Sequence, residues 1–212
     1  MSAPRPRARR GAVTVVTGAM LLALAACGPA LPEAPAPRSP ATAAPAQAPP
    51  LLAGDVARRV HRATNQARQA RGRRALRWSD RLVPLARAHS ADMARRGFFD
   101  HVNPNGEAPS DRAARLGVSC RRDLGGGRIR AGVSENLYQT WRWSGWTETT
   151  RAGRTTRTYD WQTADEIARV TVEGWLGSPG HRRNLLDADA QAEAVAVAIA
   201  GTGEVYVTQV LC

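Results

Sequence analysis

Two of the four histidines in this 212-residue chain fall where loops would present side chains. His101 follows Phe98-Phe99-Asp100 and precedes the turn-forming run Asn103-Pro104-Asn105-Gly106; His181 follows Ser178-Pro179-Gly180 and precedes Arg182-Arg183-Asn184. A neutral imidazole serves as general base or metal ligand, and side chains carried on loops by a rigid scaffold are where binding and catalysis concentrate. Taken singly, each of the two supports a structural role as well as a functional one. His61 sits among arginines and reads as a helix-surface residue, whereas His89 falls on an apolar helix side, as a packed, hydrogen-bonded core residue. No H-E-x-x-H run occurs, so the general base of that metalloprotease motif is missing.

A second chemical feature is aromatic and basic. Trp141-Arg142-Trp143-Ser144-Gly145-Trp146 is followed by Arg151, Arg154, Arg157, Tyr159 and Trp161, so four of the six tryptophans fall between positions 141 and 161. Alternation at Trp141 and Trp143, and again from Thr155 to Trp161, predicts a β-ribbon with a glycine-containing loop. Two readings stand side by side. Trp141, Trp143, Trp146 and Trp161 form a platform, with tryptophan faces for sugars and arginines for phosphates or carboxylates, or they cover the sheet edge and extend the core. Gly125-Gly126-Gly127 is a flexible turn and not a phosphate loop, because it has neither the lysine nor the following helix.

The elements that must hold these residues are legible from periodicity. Val56, Val60, Ala63, Ala67 and Ala70 recur at helical spacing, giving an amphipathic helix over 54–71 that Gly72 ends. Ser79 is placed to cap a second helix using Leu82, Leu85, Ala86, His89 and Met93, closed by Gly97, with Pro84 tolerable in its first turns. Ser110 and Gly117 bracket a short third helix. Thr163-Ala164-Asp165-Glu166 is a capping box that launches a helix through Ile167, Val170, Thr171 and Trp175. Ala194–Ala200 and Val205–Leu211 form a hairpin around Gly201-Thr202-Gly203, and Gly132–Tyr138 offers a further strand. The expected class is α+β, with helices covering an antiparallel sheet.

Composition narrows the setting. All 30 basic residues are arginine, against 18 acidic residues, for a net charge of +12. Positions 51–212 hold 25 of these arginines against 17 acids, leaving +8, and no run of five like charges marks a nucleic-acid arm. Arg5, Arg7, Arg9 and Arg10 precede an apolar stretch from Gly11 to Ala26, shorter than the roughly 20 residues a membrane span needs and suited to a secretory signal. Leu24-Ala25-Ala26-Cys27 resembles the lipobox of bacterial lipoproteins, which implies a diacylglycerol and palmitate-type anchor on Cys27; a plain signal peptide with an incidental cysteine is the alternative. Residues 27–50, mostly Pro and Ala after the lipidated Cys27, read as an extended tether. The expected organisation is a lipoprotein signal over 1–26, anchor and linker over 27–50, and one domain over 51–212. Export to the extracytoplasmic side of a membrane removes nucleic acid as a partner. It also favours a Cys120–Cys212 bridge over two unrelated buried thiols.

Several segments together carry a resemblance: Phe98-Phe99-Asp100-His101, Glu135-Asn136-Leu137, Trp175 with Ser178-Pro179-Gly180-His181-Arg182-Arg183-Asn184-Leu185-Leu186, and Tyr206-Val207-Thr208-Gln209. In type and order they resemble the bacterial branch of the CAP superfamily, the SCP-like extracellular domain, over nearly all of 54–212. The resemblance implies a three-layer α-β-α sandwich with a central antiparallel sheet and a cleft holding two histidines and two acids. Position by position it implies His101, Glu135 and His181 as cleft residues beside Asn136, while the second acid falls on Ser178. Two imidazoles and a carboxylate suffice for three ligands to Zn2+ or another divalent ion, with one position open. The missing acid leaves an expectation of weak, two-histidine binding, with Glu135 either a direct ligand or the group that orients an imidazole. Ring nitrogens about 3 to 5 Å apart would serve one ion. The expected function is a lipid-anchored envelope module that binds a lipid, glycan or other envelope component. A metal-assisted hydrolase of envelope peptides or glycans, and an adhesive protein with a vestigial cleft, are the alternatives.

Overall fold

The computed structural model describes residues 48–212. The expected signal over 1–26, the Cys27 anchor and the linker as far as residue 47 lie outside the described residues. Helix α1 (Ala53–Gln69) buries Val56 and Val60 as its periodicity marks. The buried stripe then continues through Thr64 and Arg68, while Ala63 and Ala67 are half-buried and Ala70 lies exposed past the helix end. After the two-residue strand β1 (Arg77–Trp78) comes α2 (Val83–Arg96), which begins later than Ser79 predicts: Ser79 closes a turn by accepting from the Leu82 N–H, and Pro84 sits in the first helical turn. Gly97, at φ 66°, ends α2 in the left-handed conformation that glycine adopts without strain. Helix α3 (Pro109–Arg115) leads to a small hairpin, β2 (Arg121–Asp123) with β3 (Ile129–Ala131). The triple glycine is the turn of that hairpin.

Strand β4 (Ser134–Trp141) precedes the ribbon of β5 (Trp143–Arg151) and β6 (Arg154–Trp161). Thr163 caps α4 (Ala164–Gly177) through the predicted capping box, its hydroxyl accepting from the Glu166 N–H at 3.2 Å. A short helix α5 (Pro179–Leu185) follows, then the hairpin of β7 (Ala192–Ile199) and β8 (Glu204–Leu211).

The main sheet runs β1-β7-β8-β4. The class is α+β with helices on both faces, as expected, but the sheet is mixed. Its three long strands are antiparallel, while β1 pairs parallel with β7 through Arg77–Ala192 and Trp78–Glu193. Parallel pairing follows from the connection: β1 reaches β7 after four helices, not through a tight turn. Alternation sorts the sheet into two faces. Val195, Val205, Val207 and Tyr138 meet α1, α4 and α5 around Val56, Val60, Ile167 and Trp175. Ala194, Ala196 and Val210 meet α2 and α3 around Leu82, Leu85 and Ala113. Gly174 lets α4 approach β4 closely, since a Cβ there would run into the Tyr138 ring.

Strand β4 is an edge, and side chains cover its outward carbonyls. Asn184 donates to the Glu135 carbonyl at 3.2 Å, the Trp175 indole to Leu137 at 2.9 Å, and Gln162 to Trp141 at 2.8 Å. An edge blocked this way does not template a further strand. The Cys120–Cys212 disulfide, with Cα atoms 5.6 Å apart, ties the start of the β2 hairpin to the end of β8 across 92 residues.

Candidate functional site

Edge strand β4 brings the His101 loop to helix α5, whose first turn carries His181 where the sequence predicts a loop. Glu135 points to the α2–α3 face, and its neighbour Asn136 points to the opposite face, beneath α5. Glu135 is buried and both of its oxygens are engaged: Oε1 accepts from His101 Nδ1 at 2.8 Å, and Oε2 accepts from Arg112 Nη2 at 2.8 Å. The carboxylate fixes the His101 tautomer, with the proton on Nδ1 and Nε2 left as the free nitrogen. Arg112, on α3, is itself buried and donates through Nη1 to the carbonyls of His101 and Glu107. One guanidinium therefore balances the Glu135 charge and pins the His101 backbone.

His89 lies directly behind this pair. It is fully buried, as its apolar position predicts, and donates from Nε2 to the Asp100 carbonyl at 2.9 Å, while the same nitrogen lies 3.8 Å from Glu135 Oε1. Its Nδ1 has no hydrogen-bond partner among the described residues. Burial pushes the His89 pKa down, and the charge of Arg112 pushes it the same way against the pull of Glu135. His89 is held neutral.

His181 enters from α5 across the cleft. The His101 and His181 ring centroids are 6.2 Å apart with planes tilted by 52°. The His101 side chain is 44% exposed, so its ring reaches solvent. Asn136 donates to the His181 carbonyl at 3.1 Å and to Gln209 Oε1 at 2.8 Å, while Asn184 donates to Asn136 Oδ1 at 3.0 Å. These bonds fix the start of α5. Burial, reinforced by the facing His101 ring, lowers the His181 pKa, so this imidazole is also held neutral. Ser178, where the family pattern puts a second acid, is buried and stands between α4 and α5, at the cap position of both.

Two imidazoles bound tetrahedrally to one ion with bonds of about 2.0 Å would place their centroids on the order of 5 Å apart. The observed gap exceeds this by about 1 Å. A third protein ligand does not fit, because the Glu135 oxygens are committed to His101 and Arg112. Consistently, no group of three or more His, Cys, Asp or Glu side chains among the described residues is spaced to hold a metal. Of the two roles expected for Glu135, the geometry favours orienting an imidazole over ligating a metal.

The tryptophans divide. Trp143 is buried, 5.1 Å from Trp141, 4.9 Å from Tyr159 and 5.8 Å from Trp161 between ring centroids, and its ring occupies the space that a Cβ on Gly203 would need. The guanidinium of Arg142 lies over Trp161 at 5.6 Å. This cluster seats the ribbon on the domain, as the core reading requires. Trp146 lies outside the cluster, half-buried with Arg157 over its face at 4.7 Å, and the ribbon beyond it is exposed.

Arg112, and the part His89 plays beside Glu135, have no clear signal in the sequence. The burial of Arg112 shows there only as its place beside Ala113 on a short amphipathic helix. His61 is more than a surface residue, since its Nδ1 lies 2.6 Å from Oε1 of the fully buried Glu193.

An α-β-α domain with a histidine–glutamate cleft at an edge strand defines the class of protein. The chain belongs to the cysteine-rich secretory protein (CAP) family, whose model matches residues 61–211. It is 27% identical over 130 residues to the uncharacterized protein YkwD of Bacillus subtilis (strain 168), covering 61% of this chain and 37% of that one. The chain thus spans little more than a third of that relative's length. An extracellular protein containing an SCP domain from Bacillus anthracis str. Ames shares the fold at TM-score 0.52 and 23% identity, over 77% of this chain and 44% of that one. An outer surface protein of Borrelia burgdorferi does so at TM-score 0.53 and 14% identity, over 76% of this chain and 94% of that one.

Proposed function

We propose that this protein is an extracytoplasmic envelope-binding module, anchored through lipidated Cys27 and held off the membrane by the Pro/Ala linker. Its CAP cleft receives a lipid, glycan or other envelope ligand between His101 and His181. The observation that carries the reading is the facing pair of imidazoles, ring centroids 6.2 Å apart, one of them oriented by a buried carboxylate. A divalent ion such as Zn2+ would be held weakly by His101 and His181 alone, polarising an oxygen of the ligand. A Glu135 carboxylate committed to two donors makes a poor general base, which supports binding over hydrolysis. The extracellular and outer-surface descriptions of the two structural neighbours support the location. Trp146, which the ribbon's packing does not require, is the part of the aromatic segment that fits a sugar-facing role.

The test is cosedimentation of the full chain with purified cell-wall sacculi and, separately, with vesicles of envelope lipid extract. His101→Ala and His181→Ala are expected to weaken capture by one of the two. His181→Ala should leave the melting temperature unchanged, whereas His101→Ala also lowers it by stripping a donor from buried Glu135. Capture equal to that of the unaltered chain in both assays contradicts the reading. So does turnover of wall peptide or glycan by the metal-loaded chain that either substitution abolishes.

A further inference from the structure

Beside α5, a cavity of about 670 Å³ is lined by Arg73, Arg130, Ser134, Arg182, Arg183 and Asp187, among others, and by neither cleft histidine. Four arginines meet a single carboxylate there, and that carboxylate is already oversubscribed. Asp187 Oδ2 accepts from both Arg122 and Arg130 at 2.9 Å, and Oδ1 accepts from the Asp189 N–H at 3.0 Å. Burial works against the Asp187 charge, but these donors outweigh it and hold the pKa below the usual range. Arg73, Arg182 and Arg183 have no acidic partner within 4.0 Å among the described residues. Elsewhere the arginines Arg59, Arg95, Arg115, Arg157 and Arg169 each hold a carboxylate. Arg58 and Arg87 also hold no carboxylate, but the hollow they line contains Asp80 as well, whereas here four arginines meet one acid.

Buried hydrogen bonds brace the segments that wall this cavity. Fully buried Arg68 donates from Nε to the Arg74 carbonyl at 2.8 Å and from Nη1 to the carbonyls of Leu185 and Asp187, at 2.6 and 3.1 Å. It ties the end of α1 to the segment that follows α5. Arg73 on one wall and Arg182 and Arg183 on the other are thus set on a braced frame. Guanidinium groups converging on a concave site match the multiply charged oxygens of a phosphate.

We infer that the cavity between the Arg73 turn and α5 binds a phosphate ester, with Arg73, Arg182 and Arg183 as its cationic ligands and the Ser134 hydroxyl as a neutral donor. The site shares none of His101, Glu135 and His181 with the histidine cleft. The shared chemistry has two sources: free phosphate, a dianion, and the phosphodiester of a lipid headgroup or envelope polymer.

The experiment is calorimetric titration of the full chain at low ionic strength with inorganic phosphate and, in a second arm, with glycerophosphoglycerol, the soluble headgroup of phosphatidylglycerol. Binding of one equivalent in either arm supports the site, and the arm that binds tighter names the source. Arg182→Gln with Arg183→Gln, and separately Arg73→Gln, are expected to weaken binding by about tenfold or more. Arg58→Gln with Arg87→Gln, and His101→Ala, are expected to leave it within about twofold. The exposed arginine positions chosen should leave the melting temperature unaltered, which circular dichroism checks. No saturable binding in either arm overturns the inference, as does a loss produced equally by the Arg58/Arg87 pair. Failure of the cleft reading leaves this outcome unaffected, because His101→Ala tests the two separately.

Discussion

At the scale of single residues the cleft is an electrostatic chain: guanidinium, carboxylate, imidazole, open space, imidazole. Its strongest link is out of sight. Arg112→Ala would leave the buried Glu135 carboxylate with only the His101 and His89 imidazoles beside it, and is expected to cost about 3–5 kcal/mol, read as a lower urea midpoint. Pairing Arg112→Met with Glu135→Gln is expected to restore part of that loss, because the uncompensated charge goes with its partner. His89 makes stability depend on pH. Its folded pKa is depressed by burial, so below about pH 6.5 the unfolded chain takes up a proton that the folded chain refuses. Stability is therefore expected to fall as pH drops through that value, and His89→Gln, which keeps a donor for the Asp100 carbonyl, should flatten the slope in urea titrations at a series of pH values. His101, Glu135 and His181 are recognisable from motif and order. Arg112 and the His61–Glu193 contact are not, because a lone buried charge inside an amphipathic or apolar stretch gives no sign of the partner that permits it.

At the scale of elements, the parts that obey strict local rules are legible in the sequence. The helical stripe of α1, the Thr163 capping box and the β7–β8 hairpin need only periodicity and caps. Strand β1, two residues long, has no periodicity to detect, and its parallel pairing with β7 depends on partners more than a hundred residues away. Helix α2 starts after Ser79 because Ser79 spends its carbonyl on a turn. Alternation predicts the ribbon, but which of its tryptophans are core depends on tertiary contacts that alternation does not encode. Trp143→Ala is expected to cost about 3–5 kcal/mol, since it empties the centre of the cluster seating the ribbon. Trp146→Ala, by contrast, is expected to stay within about 1 kcal/mol in the same denaturation assay. At the ribbon's tip Ala152 and Gly153 both take positive φ, 49° and 75°, as a tight two-residue hairpin turn requires.

At the scale of the whole molecule, one long loop closure and two helical layers hold the cleft in place. Replacing Cys120 and Cys212 by Ser is expected to lower stability by about 4–5 kcal/mol on the chain-entropy account, measured as the difference in unfolding free energy under non-reducing conditions. Four arginines line one concave patch beside α5 around a single carboxylate. Such an arrangement is hidden in a sequence where arginine is everywhere. The function proposed for the cleft requires His101 and His181 to address one shared hollow. Proton–nitrogen NMR of the imidazole rings during Zn2+ titration of the full chain tests that most directly. Joint perturbation of His101 Nε2 and His181, with His61 and His89 unmoved, is the predicted result. Perturbation of one cleft ring without the other, or of neither while Zn2+ binds elsewhere, would contradict it.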